Sequence, residues 1–379
     1  MKIVINTSHQ RFGGAVQVAL SFIHECCGYK EHEFHVWVGS GVRKSLCEAD
    51  FPPNFSFYHF DFGLLSLKKT FSIQKALRKL EQIIQPDVII ATSGPTYFHS
   101  KAPQIIGFNL PLYIYPESPH VQSWSLSQKI KMRLKKMVHF YFFRRDAAAY
   151  VVQTDDVNQR VRIALRTEKV YTVTNTHNHF FDDWQAFPPK LPKKQNGVFR
   201  FITISSWYPH KNLDLIPEVQ IELRKRGITN VEFVLTLKPE DFEEKVLKGD
   251  KVPGIHNIGP IPPEACPSLY QECDALFLPT LAECFSASYP EAMKMEKPIV
   301  TTDLGFSRSI CGQAAIFFTP KCPFSAANKV EKLIQNEDLR KQLARAGVMQ
   351  LSNFDTPQRR TYKYVKICER YAKVRQNQN

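Results

Sequence analysis

The run Ala275 to Asp303, ALFLPTLAECFSASYPEAMKMEKPIVTTD, permits few architectures. Ala275 to Leu278 is a short apolar run stopped by Pro279. A helical interval follows, and a second apolar run opens at Pro298-Ile299-Val300. Apolar runs of this length bounded by breakers read as buried strands, and a strand–helix–strand unit belongs to a parallel sheet. The helix has to begin between Ser286 and Tyr289, because Pro290 is tolerated only in a first turn, where its missing N–H has no intrahelical partner. Backbone amides around Ser286, Ala287 and Ser288 are thereby left facing the loop. With the positive end of the helix dipole they form a site suited to a phosphate.

The same alternation runs through the whole chain. In the first half, strands are expected at Lys2–Asn6, His35–Val38, Phe55–Phe60, Asp87–Ala91, Gln104–Phe108, Ala149–Gln153 and Lys169–Thr174. In the second half they are expected at Phe199–Ser205, Val231–Leu237, Ile255–Gly259, Ala275–Leu278, from Pro298, and at Ala314–Phe318. Helical patterns separate them, including Ala15–Cys27, Ser72–Gln85 and the basic tail Gln358–Arg375. The stretch Asn178 to Gly197, rich in proline, lysine and polar residues and without periodicity, reads as a linker. At 379 residues the chain is long enough for two α/β domains with separate cores. The expected division is 1–178, a linker at 179–198, and 199–354.

Two carboxylates flank the phosphate-suited loop, Glu283 within it and Glu291 in the first helical turn. Each has two readings. Glu291 either contacts a ligand or closes a capping box with Ser288. Glu283 either faces the ligand or is a solvated loop acid. Gly13-Gly14, between the first strand and the first helix, lets a backbone approach a ligand closely or simply makes a tight turn. No third glycine completes a dinucleotide fingerprint, so a nicotinamide cofactor is disfavoured. Asp155-Asp156 lacks the Asp-x-Asp spacing used to hold a metal for sugar transfer. Nine scattered cysteines show no metal-ligand spacing, and neither zinc nor a disulfide is expected.

Glu283-x7-Glu291, preceded by FLPT and followed by EAMKMEKPIV, resembles the motif of the family 4 glycosyltransferases. The resemblance implies an α/β chain of the GT-B class, two Rossmann-like domains facing across a cleft. It implies an N-terminal acceptor domain onto which the C-terminal helix, 355–379, packs back, and a C-terminal donor domain. By the family pattern Glu291 holds the ribose of a nucleoside diphosphate sugar and Glu283 faces the transferred sugar. Lys211 and the residue at Ser206 lie on the donor diphosphate; the family has an arginine where Ser206 stands, and usually a glycine where Ser286 stands. Gly13 and Gly14 face the phosphates and acceptor, and Ile261 lies near the base. The family's sugar-contacting histidine falls at Phe108 or Asn109, leaving Asn109 or the more distant His120 to replace it.

The activity implied is retaining transfer of a hexose-type unit to an acceptor hydroxyl, without metal or other cofactor, in bacterial surface polysaccharide or lipid-linked glycan assembly. The same fold also admits a non-catalytic nucleotide-sugar or phospholipid binder, and a nucleotide-sugar epimerase.

A net charge of +14 asks for an anionic partner. The most basic segment, Lys129 to Arg145, KIKMRLKKMVHFYFFRR, interleaves cations with apolar and aromatic side chains. It suits the surface of an anionic membrane, or is a core helix with solvated lysines. Nucleic acid lacks any supporting signature. Without a leader or a bilayer-length apolar run, the expected location is the cytoplasm, peripheral at the inner face of the plasma membrane.

Overall fold

A computed structural model describes residues 1–11, 13–63 and 67–376. The chain divides into two compact units. Unit 1 comprises Met1–Ile114, Trp124–Asn175 and the tail from Asp355; unit 2 comprises Tyr115–Ser123 and Thr176–Phe354.

Unit 1 holds seven strands, β1 (Lys2–Asn6), β2 (Glu33–Val38), β3 (Phe55–His59), β4 (Val88–Ala91), β5 (Gln104–Gly107), β6 (Ala149–Val152) and β7 (Val170–Thr172). They lie in the order β3-β2-β1-β4-β5-β6-β7, and every pairing is parallel. Alternate side chains of β1 serve two cores. Ile3 and Ile5 pack under the Gly14–Glu25 helix, while Val4 packs with Trp37, Ile89 and Phe98 against Ile73 and Leu77 of the Leu67–Ile84 helix. Both faces of a parallel sheet are covered in this way, which is why its strands read as continuous apolar runs. The terminal helix, Pro357–Gln376, buries Tyr364, Ile367, Cys368 and Ala372 in the first of these cores. Its Arg360 donates to Asn175 Oδ1 at 2.7 Å and to Ser21 Oγ at 2.5 Å.

Unit 2 holds β8 (Phe199–Thr203), β9 (Val231–Leu235), β10 (Ile255–Asn257), β11 (Ala275–Leu278), β12 (Ile299–Thr302) and β13 (Ala315–Phe318), ordered β10-β9-β8-β11-β12-β13 and again all parallel. Phe201, Phe233, Phe277 and Phe318 project to one face, with contacting ring centroids 5.2–6.2 Å apart. The Leu215–Lys225 and Pro323–Gln335 helices cover them.

In each sheet the strand order reverses once, between β1 and β4 and between β8 and β11. The connections on either side of such a reversal diverge, opening a crevice at the carboxyl ends of those strands.

The stretch read as a linker is tied onto unit 2. The backbone N–H of Phe187 donates to Ser268 Oγ at 2.9 Å, and those of Lys190 and Leu191 donate to the Glu272 carboxylate at 3.0 and 2.9 Å. Lys194 pairs with Asp274 at 2.6 Å. The segment shows no hydrophobic period because side chains of unit 2, rather than a helix or strand ladder, satisfy its backbone.

Candidate functional site

In unit 2 the loops after β8 and β11 meet on one carbonyl. Pro209–Lys211 forms a single 3₁₀ turn, closed by Lys211 N–H on Tyr208 O at 2.9 Å, and Asn212 leaves it in the left-handed region at φ 54°. The carbonyl of His210 then accepts from Leu281 N–H at 2.7 Å, with Thr280 Oγ1 3.3 Å away. This stitch brings Lys211 Nζ onto Glu283 Oε1, and Thr280 Oγ1 donates to the same oxygen at 3.0 Å. The two charged side chains are only 15% and 10% exposed. Glu283 is therefore a buried, paired acid and not a solvated one.

The helix Ser288–Lys294 begins after Ala287, whose side chain cannot cap, and no side-chain cap bond forms. The capping-box reading of Glu291 is thus excluded. Ser288 Oγ instead donates to Ile204 O at 3.4 Å, fixing the helix start to the loop after β8. Ser286 and Ser288 are both buried, and first-turn amides have no intrahelical acceptor. Burial pushes the Glu291 carboxyl up to about 7, against the opposing pull of the Tyr270 hydroxyl and the Lys211 charge. It is poised near neutrality at the edge of the Lys211–Glu283 pair.

The Tyr115–Ser123 segment completes this cluster. Ser118 Oγ donates to Leu281 O at 2.8 Å, and Lys321 Nζ donates to Pro119 O at 3.1 Å. His120 consequently stands edge-on to His210, with ring centroids 6.3 Å apart. Burial lowers both imidazoles, that of His210 to about 4, outweighing the pull of Glu283. Ser206 is exposed, and Ile261 lies in the loop after the edge strand β10; neither is hydrogen-bonded to Lys211 or Glu283.

The remaining candidates lie in unit 1, at the reversal between β1 and β4. Gly13 caps the Gly14–Glu25 helix at φ 83°, a conformation that a side chain would strain, and a Cβ at Gly14 would meet open space. Phe12 lies outside the described residues. Asn109 Oδ1 accepts from Ser93 Oγ at 3.1 Å. His9 Nε2 lies 2.7 Å from Ser93 O. A carbonyl can only accept, so Nε2 carries the proton and Nδ1 keeps its lone pair. Burial holds His9 neutral, with its pKa down at about 4. Among the described residues His9 Nδ1, Asn6 Nδ2 and Gln10 Oε1 are buried without a hydrogen-bond partner.

With this geometry in place, comparison with known proteins is informative. Residues 186–348 match the family described as Glycosyl transferases group 1. That part of the chain is a group 1 glycosyltransferase domain. Over almost the full length the chain is similar to sucrose-phosphate synthase from Thermosynechococcus elongatus (TM-score 0.73, 11% identity, 98% of each chain). It is also similar to Anabaena HepE in complex with UDP and glucose (0.69, 15%, 97% of this chain and 99% of that one). A glycosyltransferase from Rickettsia africae gives 0.70 at 16% identity over 98% of each chain. At such identities the likeness establishes the GT-B fold. No curated protein sequence gives a match.

The glycosyltransferase domain contains Lys211, Glu283, Glu291, Ser206, Ser286, Ala287, Ser288 and Ile261; Gly13, Gly14, Asn109 and His120 lie before the matched segment. Among the described residues no three His, Cys, Asp or Glu side chains gather as metal ligands. Sequence reasoning missed His9 and His210. The signal for His9 was the polar run Asn6-Thr7-Ser8-His9-Gln10 directly after an apolar strand and before the glycine pair. His210 had only its place beside Lys211.

Proposed function

We propose that this glycosyltransferase moves a hexose-type sugar from a nucleoside diphosphate donor to an acceptor hydroxyl, with retention of anomeric configuration. The observation that carries the reading is the buried Lys211–Glu283 pair at the strand-order reversal of unit 2, beside amides without intrahelical acceptors. Breaking the bond between sugar and diphosphate puts growing charge on the leaving phosphate, and stabilisation counts where that charge develops. Lys211 Nζ and the Ser286–Ser288 amides supply it, and no metal ligand is asked for. Glu283, steadied by Thr280, orients the transferred sugar. Glu291 receives the two ribose hydroxyls, which donate to its ionised form. His120 and His210, kept neutral by burial, offer hydrogen bonds without adding charge.

Unit 1 takes the acceptor. Gly13 and Gly14 let it come close, and Asn109, His9 and Gln10 present neutral hydrogen-bonding groups suited to hydroxyls. Uridine diphosphate, which HepE binds in its complex, is the first donor base to try, and glycan or lipid-linked glycan the first acceptors, as in surface polysaccharide assembly on the cytoplasmic side.

The test is transfer from radiolabelled nucleotide sugars to an acceptor panel, with the anomeric configuration of the product read by NMR. Labelled glycan that forms only when acceptor is present, and is lost in Lys211→Ala, supports the transferase. Binding without consumption would leave a nucleotide-sugar binder, and isomerised donor without acceptor an epimerase.

A further inference from the structure

The basic segment of unit 1 forms a single helix, Leu126–Asp146, opened by a capping box of Ser125 and Gln128. Its second half is the anchor. Phe140, Phe142 and Phe143 are buried, and His139 sits between the hydroxyls of Tyr97 and Tyr113 at 3.1 and 3.0 Å. The aromatic cluster singled out in the sequence is therefore mostly core. The first half is different. From Leu126 to Val138 almost every residue is exposed, an arm of roughly 20 Å at 1.5 Å per residue.

On that arm and just beyond it, Leu126, Ile130, Leu134, Met137 and Tyr141 are 53–76% exposed. At 3.6 residues per turn these five fall within an arc of about 80°. The arc lies opposite the side that carries His139 and Phe143 into the core, so the stripe faces away from the protein. Arg133 and Lys129 border one edge and Lys131 the other, Lys135 stands farther round toward His139, and all four are exposed. None of the four is in an ion pair among the described residues. No acidic residue occurs between Glu117 and Asp146. Lys136 is not part of this set, since its Nζ is turned inward onto Tyr113 O at 2.7 Å.

We infer that this face docks on an anionic lipid bilayer, with the Leu126–Tyr141 stripe sunk between headgroups and Lys129, Lys131 and Arg133 on lipid phosphates. An apolar stripe bordered by cations and lying along a helix matches the interfacial geometry of peripheral proteins. A second copy of the chain fits poorly, because it would set three cations against three. Nucleic acid would use the cations and leave the apolar side chains in water. No helix among the described residues is long and apolar enough to cross a membrane, so the contact is lateral.

The test is flotation of the full chain with vesicles of phosphatidylcholine alone, or of equal parts phosphatidylcholine and phosphatidylglycerol, in low and high salt. Binding to the anionic vesicles, weakened by salt, is expected. The triple variant Ile130→Gln, Leu134→Gln, Met137→Gln should lose binding at least tenfold while its melting temperature and nucleotide affinity stay unchanged. Lys129→Gln, Lys131→Gln and Arg133→Gln should each cost roughly fivefold. Three results would each overturn the inference: no flotation in low salt, flotation of the triple variant at the level of the unaltered chain, or a dimer that the triple variant dissolves. RNA binding that survives the triple variant, with no vesicle binding, would replace lipid by nucleic acid.

Discussion

The two strand-order reversals are built alike and furnished differently. Where β8 and β11 part, unit 2 places a buried Lys–Glu pair, a carboxyl held near neutrality and helix-start amides. Where β1 and β4 part, unit 1 places an imidazole, carboxamides and a serine, with the imidazole held uncharged. Full charges and orphan amides suit a diphosphate. Neutral donors and acceptors suit hydroxyls, where a charge would be desolvated without recompense. The same backbone plan thus supports a division into donor and acceptor roles, and each prediction below bears on one side of it.

The largest effect is expected at Lys211. On the proposed reading Lys211 faces the leaving phosphate, and Lys211→Ala should lower kcat by about 10²–10³, the loss measured when a comparable charge-stabilising group is deleted. It also leaves Glu283 buried and unpaired, so a stability loss of roughly 3–5 kcal/mol accompanies it. The double variant Lys211→Met, Glu283→Gln removes both charges and should recover most of the melting temperature without recovering turnover. Turnover that returns with stability would make the pair structural.

Glu291 gives the next effect, and its sign is opposite for folding and for binding. Because the folded carboxyl titrates near 7 rather than at 4.5, the native state holds the proton more tightly than the unfolded chain. Stability therefore rises as pH falls from about 7 to 4.5. On the proposed reading nucleotide binding needs the ionised form, so affinity should weaken up to tenfold per pH unit below 7. Glu291→Gln should flatten both dependences and weaken UDP binding at pH 8; calorimetry across pH reads binding, and thermal melts read stability. An unchanged binding profile would remove Glu291 from the donor site.

In unit 1, His9→Ala should raise the acceptor KM about tenfold, the cost of one lost hydrogen bond of 1–1.5 kcal/mol, with donor affinity untouched. A shift in donor affinity instead would break the proposed division. Steady-state kinetics with either substrate varied separates the two.

The thirteen strands among the described residues were legible, because most are short apolar runs closed by proline, glycine or a polar cluster. Residue ranges at helix ends were less so. The helix expected at Ser72–Gln85 spans Leu67–Ile84, since Lys68-Lys69-Thr70 carry no apolar pattern. The Glu-x7-Glu motif and Lys211 were readable through their resemblance to the family 4 pattern, and the structure joins Lys211 to Glu283 in one ion pair. What was not readable depends on contacts distant in sequence. His120 reaches His210 only because Ser118 ties its segment to Leu281, and Asn178–Gly197 looked like a linker because its partners, Ser268, Glu272 and Asp274, lie some eighty residues on. For the basic helix the sequence left two readings open, because apolar residues cover two opposite faces of it and sequence alone does not tell which is buried.

The smallest expected effect tests what unit 2 lacks. Ser206 is exposed on the loop after β8, at the place where the family pattern has an arginine. Ser206→Arg would set a second cation near Lys211, facing the same diphosphate. A guanidinium makes forked hydrogen bonds to phosphate, but at an exposed position solvent and salt screen most of the gain to within about 1 kcal/mol. Donor affinity should therefore rise only two- to fivefold, more in low salt than in high, with kcat little changed because Lys211 already faces the bond that breaks. The same substitution should leave acceptor KM alone. An arginine that improved acceptor use, or that left donor affinity flat at low ionic strength, would mean that the loop after β8 does not face the diphosphate, and the contrast between the two reversals would lose its charged half.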